Sequence, residues 1–87
     1  MTPDSFKTNN EFSVCQFFPG DYYEYVCQFV SAEEAVRIFQ RCITSLGARF
    51  GTTRRVIITD GGDCVNMEWV FEKGMVFPPQ SGDTSNY

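Results

Sequence analysis

Two stretches near the N-terminus, EFSVCQFF (11–18) and YYEYVCQFV (22–30), are dense in aromatic and β-branched residues and are separated by PGD. That composition, broken by a turn signal, predicts a β-hairpin. A loop of even length places Phe12, Val14 and Phe18 on one sheet face with Tyr23, Tyr25, Cys27 and Phe29, a continuous apolar surface. An odd loop would bring Glu24 and Gln28 into that surface, so the even register is expected. From Ser31 the period changes. SAEE opens a helix with serine at the N-cap and Glu34 three residues on, a capping box that satisfies two orphan amides. Ala35, Ile38, Phe39, Cys42, Ile43, Leu46 and Phe50 then recur at three- and four-residue spacing, a single helical stripe. Glu33, Arg37, Gln40, Arg41 and Thr44 fall on the other side, with Glu33 and Arg37 as a favourable four-apart pair. Gly47 and Gly51 are the two candidate ends of this helix.

The next segment, RRVIITDGGDCVNMEW (54–69), poses a choice between a turn and a site. A type I′ turn centred on Gly61 and Gly62, both at positive φ, would pair Ile58 with Val65, Val56 with Met67 and Arg54 with Trp69. The other face would pair Ile57 with Asn66 and Arg55 with Glu68, cation against anion. The turn organises the flanking residues without any ligand and is preferred. Asp60 and Asp63 supply too few oxygen ligands for Mg²⁺ or Ca²⁺ and lack calcium-loop spacing. A phosphate-binding glycine loop would have to open a helix, and here a strand follows. Lys73-Gly74 marks a further turn, with residues 75–77 as a short added strand. The fold expected is α+β: an antiparallel ββαββ sheet, with a short fifth strand after the second hairpin. One helix packs on one face through Ala35, Phe39, Cys42, Ile43 and Leu46. Residues 11–77 form this domain, and 1–10 and 78–87, rich in Asn, Ser, Thr and Pro, are flexible tails.

Composition narrows the chemistry. With 87 residues, 43% of them apolar, the chain is long enough for one small core. It contains no histidine, which removes Ser-His-Asp and Cys-His pairs and any imidazole acid or base. The four cysteines, at 15, 27, 42 and 64, form no C-x-x-C pair and are read as small hydrophobes in a reducing cytosol. Cys64 follows Asp63 directly, and an adjacent anion disfavours a reactive thiolate. No nucleophile has an identifiable base, so no catalysis, metal or obligatory cofactor is expected. The N-terminus lacks the basic start and apolar run of a secretory signal, and no stretch approaches the roughly 18 apolar residues of a membrane span. A cytoplasmic protein is expected.

With a helix on one sheet face, the residues expected on the other include Cys15, Phe17, Tyr22, Val26 and Val30 from the first hairpin. Ile57, Cys64 and Val70 join them from the second. So many outward apolar residues on a single-layer sheet point to an interface, with Phe17, Tyr22, Val26, Ile57 and Val70 at its centre. The expected partner is another protein or a second copy of the chain. Charge offers an alternative. The net charge is −4, yet residues 35–59 hold five arginines and no acid. Arg37, Arg41, Arg54 and Arg55 could form a basic patch for nucleic acid or phosphate. The acidic pI of about 4.5 opposes that use.

The run RRVIITDGGD...EW, after a strand and an S-A-E-E-A helix, resembles small bacterial proteins of hairpin–helix–hairpin layout, over about residues 11–79. That resemblance implies the fold and carries no chemistry. YEYVCQFVSAEEAVRIFQRCI is also similar in arrangement to the antitoxin half of certain RNA-cleaving toxin pairs, in which a strand precedes an S-x-E-E-A-type helix. It implies a small basic toxin as partner. The chain lacks the appended DNA-binding segment of those antitoxins.

Overall fold

A computed structural model of the chain describes residues 10–78. The expected tails, 1–10 and 78–87, lie outside the described residues except for Asn10 and Pro78. Within them the chain is an α+β domain with a five-stranded antiparallel sheet and two helices. The elements are β1 (Phe12–Phe18), β2 (Tyr22–Val30), α1 (Ala32–Ile43), α2 (Leu46–Phe50), β3 (Arg55–Thr59), β4 (Val65–Val70) and β5 (Gly74–Phe77). The strand order is β2-β1-β3-β4-β5. The two hairpins therefore join edge to edge through β1 and β3, with the helices in the crossover between them.

The core forms where α1 crosses the sheet. Ala35, Phe39 and Cys42 on the helix meet Val14, Val56 and Ile58 on the two central strands. Phe12, Cys27, Val30, Met67, Trp69 and Met75 complete the same layer from the remaining strands. Ser31 caps the helix as its sequence signature requires: its Oγ accepts from the Glu34 amide at 3.1 Å. The Glu34 carboxylate binds Arg37 three residues on, so Arg37 pairs with Glu34 and not with Glu33.

The helical stripe ends sooner than its spacing predicts. Ile43 is the last residue of α1, and Ser45 caps a second short helix by accepting from the Ala48 amide at 3.2 Å. The serine hydroxyl also donates to the Cys42 carbonyl at 2.7 Å, so one side chain closes one helix and opens the next. This redirection removes Leu46 and Phe50 from the core; they are 67% and 77% exposed, and Ala48 is the buried residue of α2. Gly51 then ends α2 with φ 92°, the left-handed cap that glycine adopts without strain.

Both hairpins use three-residue loops. Phe18 pairs with Tyr22 across Pro19-Gly20-Asp21, the odd loop, so Glu24 does stand opposite Gln16 on the helix side. Two irregularities farther along, between Val14 and Cys15 and between Phe12 and Val14, bring Cys27 opposite Val14 and Val30 opposite Phe12. The bulges restore the apolar layer where α1 covers the sheet. The odd loop itself places Tyr23 and Tyr25, expected in the core layer, on the opposite face against Phe17 and Cys15.

In the second hairpin, Asp60 N–H donates to the Cys64 carbonyl and Asp63 N–H to the Asp60 carbonyl, both at 3.0 Å. Asp63 carries the positive φ, 63°; Gly61 and Gly62 do not. This is a type I turn followed by a left-handed residue, not type I′. The register moves accordingly: Ile58 pairs with Met67, Ile57 with Glu68, Val56 with Trp69 and Arg55 with Val70. Over Arg55–Ile58 the displacement is two residues, so those pairs keep their expected faces. At Thr59, which pairs with Val65, an irregularity breaks the alternation, and Asn66, expected on the outer face, lines a helix-side hollow with Phe12, Val36 and Ile58. Gly61 leaves room for another contact: its amide donates to Glu11 Oε1, and a Cβ there would lie 2.8 Å from that oxygen and push the glutamate aside.

Candidate functional site

The face of the sheet away from the helices includes two cross-strand rows that span all five strands. One runs Tyr25, Cys15, Ile57, Glu68, Phe77 across all five strands. The next runs Tyr23, Phe17, Arg55, Val70, Gly74. In both, a tyrosine stands at the β2 edge and a charged residue at or beyond the centre; the first row ends in a second aromatic, Phe77, at the β5 edge.

The side chains within these rows touch. Phe17 and Tyr23 have ring centroids 5.8 Å apart, and Tyr23 and Tyr25 meet edge to face at 6.2 Å. The Arg55 guanidinium lies 4.8 Å from the centre of the Phe17 ring, and its Nε donates to Glu68 Oε2 at 2.6 Å. Tyr25, Tyr23, Phe17, Arg55 and Glu68 thus form one continuous chain of contacts from the β2 edge to β4. Tyr23 and Tyr25 are exposed, whereas Cys15 and Ile57 within the first row are buried. Burial of Cys15 pushes its thiol above the usual range.

Of the residues expected at the interface, Phe17, Ile57 and Val70 stand on this face. Tyr22 and Val26 do not. Tyr22 pairs with Phe18 on the helix side, and Val26 lines a groove there with Phe18, Ile38 and Cys42. Val30, also expected outward, packs against the core. The shift follows from the odd loop and the bulges of β2. In their place the face gains Tyr23, Tyr25 and Phe77, which only the true register reveals.

The arginines are divided between the two layers. Arg37 and Arg41 lie on α1, Arg37 tied to Glu34. Arg54 sits before β3 with its guanidinium 4.8 Å from the Phe71 ring centre and Nη1 donating to the Gly51 carbonyl. Arg55 is on the opposite face, committed to Phe17 and Glu68. The four do not form one patch.

At the β3–β4 turn, Asp60 Oδ1 accepts from the amides of Gly62 at 2.9 Å and Cys64 at 3.1 Å. The Cys64 amide is the main reason its carboxyl is held below the usual range; Asn66 and the Gly62 amide add to it. These bonds close the turn. Among the described residues no three of Cys, Asp and Glu converge in a metal-binding group. All four cysteines are free thiols; Cys15 and Cys42 are buried, Cys27 half-buried and Cys64 exposed. No helix among the described residues is long and apolar enough to cross a membrane.

No known protein family, curated protein or solved structure matches this chain.

Proposed function

We propose that this domain is a small, non-enzymatic protein-binding module that uses the uncovered face of its sheet. The observation that carries the reading is the contact chain Tyr25–Tyr23–Phe17–Arg55–Glu68 on a single-layer sheet. Tyrosine and arginine are enriched at protein interfaces: tyrosine covers much area with few rotors and ends in a hydroxyl, and arginine brings a planar donor fork that stacks on aromatic rings. Here they are already ordered against one another, so docking costs little side-chain entropy. A second copy of the chain is the first partner to test, since the two rows offer apolar and charged groups in one continuous strip.

An aromatic sheet face also suits stacking of unpaired bases. The charge argues for protein. Arg55 is neutralised by Glu68, and the chain carries a net charge of −4. Phosphate recognition needs uncompensated cations on the same face.

The test is solution mass by light scattering at low and high salt, with wild type and Phe17→Glu. A dimer at both salts that Phe17→Glu splits supports the reading with the second copy as partner. If the wild type is a monomer, a photoreactive group at Tyr23 should crosslink a defined protein partner that Phe17→Glu loses. Binding of a labelled oligothymidylate that falls steeply with salt would overturn the protein reading in favour of nucleic acid.

A further inference from the structure

The opposite layer holds a second opening, a groove of about 560 Å³ between the C-terminal end of α1 and the sheet. It exists because the chain breaks at Thr44-Ser45: α1 stops, α2 turns aside, and the loop-proximal part of the first hairpin is left without helix above it. Its apolar floor and wall are Phe18 from β1, Val26 from β2 and Ile38 from α1. Arg41 stands at the groove, in the last turn of α1. The far wall is polar and fixed. Thr53 is 3% exposed, its hydroxyl donates to Gln16 Oε1 at 3.4 Å, and its amide donates to the Gly47 carbonyl at 2.9 Å. Gly47 is required there, since a Cβ would fall 2.7 Å from Thr53 Oγ1.

The size and lining are those of a small-molecule site: mostly apolar, with a few polar groups and one charge. Arg41 decides the ligand class. The ion pairs among the described residues are Arg37–Glu34 and Arg55–Glu68, and neither uses Arg41. Its guanidinium is a planar donor fork matched to a carboxylate. We infer that this groove binds a small amphipathic carboxylate, its apolar body on Phe18, Val26 and Ile38 and its carboxylate on Arg41. The site lies across the sheet from the Phe17–Arg55 strip and does not depend on what docks there.

The test is a titration of ¹⁵N-labelled protein with sodium octanoate, and with octanol as an uncharged ligand of equal length. Octanoate should produce saturable shifts at the amides of Val26, Cys42 and Thr53, with a dissociation constant of roughly millimolar order for so small a ligand. Octanol should bind about tenfold more weakly, the factor one charge-assisted hydrogen bond supplies. Arg41→Gln, at an exposed position, should bring octanoate down to the octanol level, while Phe17→Glu leaves octanoate binding unchanged. Equal affinity for the two ligands, shifts confined to the Tyr23–Phe17 strip, or no saturable shifts would each overturn the inference.

Discussion

Cys15 and Ile57 stand directly opposite each other across β1 and β3 on the side of the sheet that no helix covers, yet they are only 3% and 8% exposed. Tyr25 and Glu68 flank them in the row, and Phe17 and Arg55 lie in the next row. Large neighbours on a flat sheet can bury small ones without a second layer. The face therefore has a covered centre and projecting aromatic posts.

The burial of Cys15 leads to a prediction about thiol chemistry. Burial raises the thiols of Cys15, Cys27 and Cys42, whereas Cys64 is exposed. At about pH 8, a chromogenic disulfide reagent should label Cys64 quickly and the other three only after denaturant is added. Rapid labelling of Cys15 would mean the aromatic strip does not shelter it. The sign for stability follows: these thiols ionise more readily in the unfolded chain. Stability should be full below their ordinary value of 9.0 and fall as pH rises through the raised folded values.

Asp60 has the opposite sign. Its carboxyl is held below the ordinary 3.8 by the Cys64 amide, then by Asn66 and the Gly62 amide. Its contribution is present above the unfolded value and lost as pH falls through the folded one. Thermal melts across the acid range should show a loss of stability on acidification that is smaller in Asp60→Ala than in wild type. Parallel curves would show that the amide bonds to Asp60 do not favour its charged form.

Glu72 holds φ 73° in the turn between β4 and β5, where Lys73 N–H donates to the Val70 carbonyl at 3.0 Å. A side chain there meets the steric cost of left-handed backbone. Glu72→Gly should stabilise the domain by up to about 1 kcal/mol, read as a higher urea midpoint at unchanged slope. A lower midpoint would indicate that the unfolded-state entropy added by glycine outweighs the relief.

Phe39 and Leu46 share one helical stripe in the sequence and have opposite fates in the fold. Phe39 is fully buried, and Phe39→Ala should cost about 3–5 kcal/mol, enough to unfold much of a small domain. Leu46→Ala, at a 67% exposed position, should change stability by no more than about 0.5 kcal/mol. Urea denaturation followed by circular dichroism measures both. A large loss at Leu46 would mean that the stripe continues unbroken past Thr44.

The contrast between Phe39 and Leu46 also marks how far the sequence could be read. The start of α1, the two hairpins and the added strand β5 follow local rules: a capping serine, aromatic runs and turn residues. Ser45 carries the same capping chemistry as Ser31, but it lies inside an apolar spacing that continues to Phe50, and the spacing masked it. The loop of the first hairpin was the costlier error. An even loop gave an unbroken apolar face, whereas the chain takes an odd loop and repairs the layer with bulges, one leaving Phe29 at φ 57°. Loop parity and bulges leave little trace in residue type: the odd loop puts Tyr22, Tyr23 and Tyr25, and the first bulge puts Val26, on the faces opposite to those the even register predicts. Phe17, Ile57 and Val70 stand on the expected face because β1 pairs with β3 without a shift and the Arg55–Ile58 part of β3 pairs with β4 without one. The junction of β1 with β3 depends on contacts between distant residues, which no local pattern encodes.

That junction bears on how the domain assembles. Among the described strands β1 is made first, and it ends at the middle of the sheet, between β2 and β3. Its first neighbour follows at once; its second arrives only after both helices. During synthesis the half-finished sheet therefore carries a bare edge along Ser13–Phe17, the backbone that β3 later engages. Closure of the long crossover should limit the folding rate, and the nascent chain is most prone to pair with a neighbour in the interval before Arg55–Thr59 emerges.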